Sequence, residues 1–331
     1  LYIHTICGEI GRRIACGESF NTLTDLIENS FPDNLESLLL CTIDRVEEQT
    51  LTILFESNMM VHAGVEFSGK ILVGRVFRLL VLSRHGMAEE DLKVLLHPAW
   101  RAGNRLPFGV WSRFFRLIEP FLLFIDQPDS SHQKLKLKTE FLWAVKCRYL
   151  GDYGTNIDVH ESLSEYILLQ YTQFFRGARM IAWSKPARKS EPEYIYDLLE
   201  IVYHQMSCAN VRALEETLGN IDYIEALFVA AKCTTVGGAV GALIQYYRIA
   251  MLVLSRAEKE VLKTTLQAAQ MTEKRLQSWF EGMWSFFIKT STMHFRAPRL
   301  SLQLAINSKL DTPAQLTAQG KLKEYNKLKT K

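Results

Sequence analysis

The chain has 331 residues, 39 Lys plus Arg against 36 Asp plus Glu, 48% hydrophobic and 23% charged residues, and six Cys. This is a globular composition, neither disordered nor collagen-like. The scattered cysteines (Cys7, Cys16, Cys41, Cys147, Cys208, Cys233) form no C-x-x-C pair, so they read as buried thiols of a reducing compartment, without a disulfide framework or zinc site. The formal charge of +3 lies at one end: Lys321, Lys323, Lys327, Lys329 and Lys331 against Glu324 give the last eleven residues +4 and leave 34 basic against 35 acidic residues elsewhere, too balanced for a nucleic-acid-binding body.

Leu1 opens within an apolar pattern that has no basic n-region or cleavage site, which reads as no secretory signal and as a piece of something longer. Pro32, Asp33 and Glu36 mark a helix start, with Asp33 as cap and Glu36 reaching back. Leu35, Leu38, Leu39, Ile43 and Val46 follow at spacings of three and four, a stripe to be buried against the segment carrying Leu1, Ile3, Ile6 and Ile10.

From about residue 70 to 150 the pattern changes. A helix through Val76, Phe77 and Leu80 ends at Ser83-Arg84-His85-Gly86, where Gly86 can take the left-handed stop conformation. Glu89, Glu90 and Asp91 place negative charge on the first turn of a second helix ending near Leu96. Pro107 opens a third helix, carrying Trp111, Phe114, Phe115 and Ile118, and Pro120 closes it. The strand-length run Phe121 to Ile125, turn chemistry over residues 127–131 and the period-two row Lys134 to Lys138 then read as a hairpin. Three helices followed by a hairpin is the order of a winged helix.

The remainder reads as helix after helix: Val159 to Gln170, Glu193 to Met206, Asn210 to Leu218, Tyr223 to Cys233, Val240 to Leu254 and Glu258 to Thr290, with an exposed loop over residues 182–192. Helix pairs without strands or a strict repeat period suggest an irregular αα superhelix. The longest apolar stretch, Ala226 to Ile244, has Lys232 near its middle, and a cation there costs about 3 kcal/mol in a membrane span, so no span is expected.

Motifs that could carry chemistry each have a plainer reading. The run ending in Asp126 resembles a magnesium-binding Walker B strand, but no P-loop precedes it, and a winged-helix strand explains it better. Gly237, Gly238 and Gly241 lack the lysine and the strand of a phosphate loop and read as close helix packing. Glu200 and His204 share a helix face but lack further metal ligands, and read as a hydrogen-bonded pair; His4 with Cys7, and His160 beside Glu161, support no triad. A winged helix would read DNA with its third helix, yet here only Arg113 and Arg116 stand among apolar residues, as in a helix built to be buried. Lys134, Lys136 and Lys138 fit the wet face of an edge strand, and the basic tail fits a solvated end.

Several segments together resemble STAND-type NTPases, namely NACHT-domain proteins carrying WD or tetratricopeptide repeats, such as telomerase-associated and nephrocystin-like relatives. Leu1-Tyr-Ile-His, Gly17-Glu-Ser-Phe20, Phe31 to Leu38 and Ile43-Asp-Arg-Val-Glu47 resemble the helical segment after the NACHT core. Leu82-Ser-Arg-His-Gly-Met-Ala-Glu-Glu-Asp-Leu92 is similar to the family's LSRHGLSEEEL in its winged helix and is the most specific match. Asn220 to Leu227 with Ala231-Lys232, and Pro298 to Asn307 with Asp311-Thr-Pro313, resemble the superhelix leading into the repeats.

The resemblance implies a mainly α chain: residues 1–60 a NACHT-associated helical segment, 61–152 a winged helix with a small β-hairpin, 153–192 a helix and exposed linker, 193–313 an irregular αα superhelix, and 314–331 a basic tail. It implies a cytoplasmic, non-catalytic regulatory and scaffolding portion of a nucleotide-controlled switch, with Leu1 falling just after the nucleotide site. ATP or ADP with Mg would be bound by the parent protein, with no cofactor or metal in this part. The partners implied are the NTPase core and the repeats in cis, and other proteins or further copies, rather than nucleic acid. The family often carries a His just after the wing that contacts the β-phosphate; the corresponding stretch here is Leu137-Lys138-Thr139-Glu140, making Lys138 either the nucleotide-sensing cation or a surface lysine. A self-contained α-helical interaction scaffold, and a winged-helix nucleic-acid module, are the alternatives.

Overall fold

Helical periodicity becomes helix through most of the computed structural model, which describes residues 34–57, 59, 61–62, 65–66, 68–125, 133–151, 156–175, 178–181, 183, 185, 191–233, 241, 245–249, 273–296, 301–308 and 312–329. The described residues up to 151 belong to one compact unit and those from 156 to a second.

In the first unit, α1 (Leu35–Glu56) is capped by Asn34, whose Oδ1 accepts the Ser37 N–H at 2.8 Å. The cap expected at Asp33 is thus one residue further on, because Asn34 is the residue whose side chain reaches the third helical N–H. Leu38, Leu39, Ile43 and Val46 are buried, and Ile53 and Leu54 extend the stripe. The partner expected at Leu1 to Ile10 lies outside the described residues. Among those described, α1 packs on α2 (Gly69–Leu82), α4 (Phe108–Ile118) and α5 (Leu142–Tyr149). The approach to α2 is very close: a Cβ on Gly69 would lie 1.8 Å from the Glu47 carbonyl oxygen. Glu47 itself is buried and accepts from Arg148 Nε at 3.2 Å, Arg148 Nη2 at 2.8 Å and the Tyr149 hydroxyl. Asp44 holds the same guanidinium from its outer side.

After α1 come the two-residue strands β1 (Val61–His62) and β2 (Val65–Glu66), paired antiparallel. α2 closes at an extended Ser83 and not at Gly86 as expected; Gly86 does adopt φ +75°, but in the turn before β3, where a Cβ would sit 2.9 Å from the Leu135 carbonyl oxygen. Then follow β3 (Met87–Ala88), α3 (Glu89–Leu95), α4, β4 (Leu122–Ile125) and β5 (Lys134–Leu137), before α5. The sheet order is β3-β5-β4, all antiparallel. This corrects the reading of the lysine row: β5 is the central strand, and Lys134 is only 8% exposed. The cause is β3, too short to announce itself, which pairs Met87 with Leu135 and Ala88 with Lys134. The expected turn at residues 127–131 lies outside the described residues. α4 buries Val110, Trp111, Phe114 and Ile118, and Trp111 Nε1 donates to Glu89 at 2.7 Å, tying α4 to α3. Burial alone would raise the Glu89 pKa; hydrogen bonds from Lys93 and Trp111 outweigh it and hold the carboxyl below its ordinary value.

In the second unit, α6 (Ile157–Gln170) packs on α7 (Glu191–Ser207). Between them stands a hairpin, β6 (Thr172–Phe175) with β7 (Ala178–Ile181), in a region expected to be free of strands. Four-residue strands give too few positions to show a period of two; the aromatic pair Phe174-Phe175 ahead of Gly177 is the local signal. The loop expected to be exposed over 182–192 contributes a buried anchor instead. Trp183 is 5% exposed, stacked on Tyr171 with ring centres 5.8 Å apart and set edge-on to Tyr223 at 4.9 Å.

α8 (Val211–Leu218), capped by Asn210, and α9 (Ile221–Cys233) follow. The helices expected at 240–254 and 258–290 fall largely outside the described residues, and α10 runs Glu273–Arg296. After α11 (Ser301–Ile306), the supposed solvated tail forms α12 (Pro313–Lys329), which buries Ala314 and Ala318 and pairs Lys321 with Asp222 at 2.7 Å. Buried tyrosines close the core through backbone carbonyls: Tyr223 on Leu198 at 2.8 Å, Tyr246 on Leu199 at 3.1 Å, Tyr247 on Leu218 and Tyr194 on Trp183. Among the described residues no helix is long and apolar enough to cross a membrane.

Glu47→Leu strands the Arg148 and Tyr149 donors. Because Arg148 retains 27% exposure and regains water, the expected loss is about 2 kcal/mol in urea unfolding, below the range for a fully buried pair. Ala209 closes α7 at φ +51°, so Ala209→Gly is expected to raise the unfolding free energy of the second unit by about 0.5 kcal/mol in urea unfolding, strain relief exceeding the entropy added to the unfolded chain.

Candidate functional site

Lys138 leaves the end of β5 and turns back over the chain that precedes β4. Its backbone N–H donates to Phe121 O at 2.8 Å, and its ammonium donates to Pro120 O, also at 2.8 Å. The side chain is half-buried. In this position the cation holds the end of α4 to the end of β5. An anion reaching it would compete with one neutral carbonyl.

Several other cations of this unit are held by carboxylates, and Arg101 lies over the Trp100 ring. Arg113 on α4 lies 2.6 Å from Glu56, while Arg116 is exposed. Lys93 lies 2.8 Å from Glu89 and 2.7 Å from Glu90. Asp126, the supposed magnesium acid, lies outside the described residues, as do Gly237, Gly238, His4 and Cys7. The strand leading to Asp126 is an outer strand of an antiparallel sheet, with Leu123 and Phe124 exposed, unlike the buried central strand that carries a Walker acid.

In the second unit the structure joins two pairs that are separate in sequence. His160 from α6 and His204 from α7 meet with their Nδ1 atoms 2.8 Å apart, and His204 Nε2 lies 2.9 Å from Glu200 Oε2. His160 is 7% exposed, His204 1% and Glu200 5%. Tyr203 presents its ring edge-on to His160 at 5.7 Å. The signal missed in the sequence is positional: His160 stands on the buried stripe of Leu163, Ser164 and Ile167, where a polar side chain must find a partner on the opposing helix.

The three groups form a line, not a cage, because Glu200 and His160 address opposite nitrogens of His204. Among the described residues no set of three His, Cys, Asp or Glu could hold a metal ion. Cys41 and Cys147 are exposed on the outer faces of their helices, against the expectation of buried thiols, whereas one turn on from His204 burial raises the half-buried Cys208 thiol to about 11, which keeps it protonated and unreactive. The line can therefore orient and hold protons between two helices.

No protein-family model matches the chain, and no curated protein is significantly similar to it. Lys138→Met is expected to cost about 1 kcal/mol in urea unfolding of the first unit, the net worth of one hydrogen bond, since Pro120 O at the surface can turn to water.

Proposed function

We propose that this chain is the regulatory and scaffolding portion of a nucleotide-controlled switch of the STAND type, linking an NTPase core to protein-interaction repeats and doing no catalysis itself. The carrying observation is the stretch Leu82 to Leu92, the most specific family resemblance. It spans the end of α2, the left-handed turn at Gly86, β3 and the first turn of α3. With α4, β4 and β5 following, the element order supports reading this unit as a winged helix, and the helix pairs beyond residue 156 support reading the second unit as an αα superhelix. ATP or ADP with Mg on the core would bias how these units pack against it, a bistable arrangement set by phosphate contacts, and Lys138 is the candidate contact. The setting is cytoplasmic, and the partners are the core, the repeats and other proteins.

The hold of Lys138 on Pro120 O favours a second reading, a helical interaction scaffold with no nucleotide control. The two separate at the gene. Under the first, the codons upstream of Leu1 encode a P-loop strand; a start codon there without a P-loop decides for the scaffold. The purified chain with ATP and Mg is expected to show no phosphate release above the blank, and sustained turnover would overturn both readings.

A further inference from the structure

The contact between α6 and α7 has a property that the switch reading neither uses nor requires. Two imidazole nitrogens 2.8 Å apart leave room for a single hydrogen, so one ring donates and the other keeps its lone pair. On the far side of His204 the Glu200 carboxylate, which can only accept, lies 2.9 Å from Nε2 in a close contact short of an aligned hydrogen bond; a lone pair facing it would be repelled, so Nε2 carries a proton. His204 is then either neutral, accepting from His160 at Nδ1, or an imidazolium paired with Glu200 and donating to His160. In both states His160 is neutral. Protonating it in the second state sets two N–H groups against each other and puts two positive charges beside one carboxylate, at a contact where all three side chains are buried.

We propose that His160, His204 and Glu200 form an acid-operated latch: it holds α6 against α7 while His160 is neutral, and it opens, parting the two helices, when His160 takes up a proton.

The surroundings act in the same direction. Glu200, Tyr203 and His204 face His160 from α7, and on α6 the adjoining Glu161 is exposed and stands near Cys208. Burial first, and then the field of His204, push His160 down to about 4, with Glu200 pulling the other way. In an open chain a histidine titrates near 6.5. Between those two values the open form binds a proton that the closed form refuses. The latch is therefore fully set above about pH 6.5, weakens as pH falls through the window, and changes no further below about 4.

The test is hydrogen exchange on the whole chain, following amides of α6 and α7 and correcting for the intrinsic pH dependence of exchange. From pH 6.5 to 5.0 their protection is expected to fall about 15-fold, the slope approaching tenfold per pH unit only below the open-chain value, while α1 to α5 keep theirs. His160→Gln, which can still bond His204 but cannot titrate, is expected to abolish that fall. Unchanged wild-type protection, or the same fall in His160→Gln, overturns the latch. Should the variant not fold, nitrogen-15 histidine spectra of the wild-type chain decide: a His160 ring still neutral at pH 5 supports the latch, and a midpoint near 6.5 refutes it.

Discussion

Glu47 stands where three helices of the first unit converge. Gly69 lets the α2 backbone touch the Glu47 carbonyl, and Gly74 on α2 leaves space for the Tyr149 ring, which a Cβ would meet at 2.9 Å. The Glu47 carboxylate, almost out of water, is acceptable there only because Arg148 and Tyr149 both reach it. The effect is mutual: burial and the bond to Glu47 raise the Tyr149 phenol far above its ordinary range, and the same carboxylate raises Arg148. α5, the last helix of the unit, is thus needed by α1, the first one described. Everything between them, including Gly86 and the three-stranded sheet, is closed into one cooperative body by a charge that tolerates no missing partner.

The second unit meets the same demand with neutral groups. Mid-helix carbonyls of α7 at Leu198 and Leu199 accept from Tyr223 and Tyr246, so α7 anchors α9 and residues further along the chain through phenols that are themselves core material. Burial raises the Tyr223 and Tyr247 phenols well above their ordinary range, so acid does not change their protonation. On α7 the His204 and Glu200 side chains are different. They belong to a buried contact with α6 in which proton number bears on the geometry.

Helix periods, the positive φ at Gly86 and the acidic first turn of α3 were all readable because each is decided within a few residues. What could not be read depends on partners distant in sequence. The lysine row looks like an edge strand until Met87 and Ala88 pair with it. Trp183 looks like part of a polar loop until Tyr171 and Tyr223 close around it. The tail looks solvated until Ala314 and Ala318 find the core and Lys321 finds Asp222. The site obeys the same rule. Glu200 with His204 is visible as a helical spacing, whereas His160, 44 residues earlier, joins them only through the pairing of α6 with α7.

The family-like stretch Leu82 to Leu92 has its own physical requirements, which bear on what it can mean. Ser83 Oγ bonds the Gly86 carbonyl at 3.0 Å, Gly86 is the residue that fits against Leu135, and Met87 begins the strand pairing. These residues build the seam between α2 and the sheet; none of them presents a group to a phosphate. A nucleotide-responsive residue must instead be able to exchange partners at small cost. Lys93, Arg113 and Arg148 face carboxylates and would forfeit charge-assisted bonds, while Lys138 faces one neutral carbonyl. Of these four cations, Lys138 is where exchange is least opposed. Releasing Pro120 would at the same time loosen the join between α4 and β5, which gives such a contact a mechanical consequence.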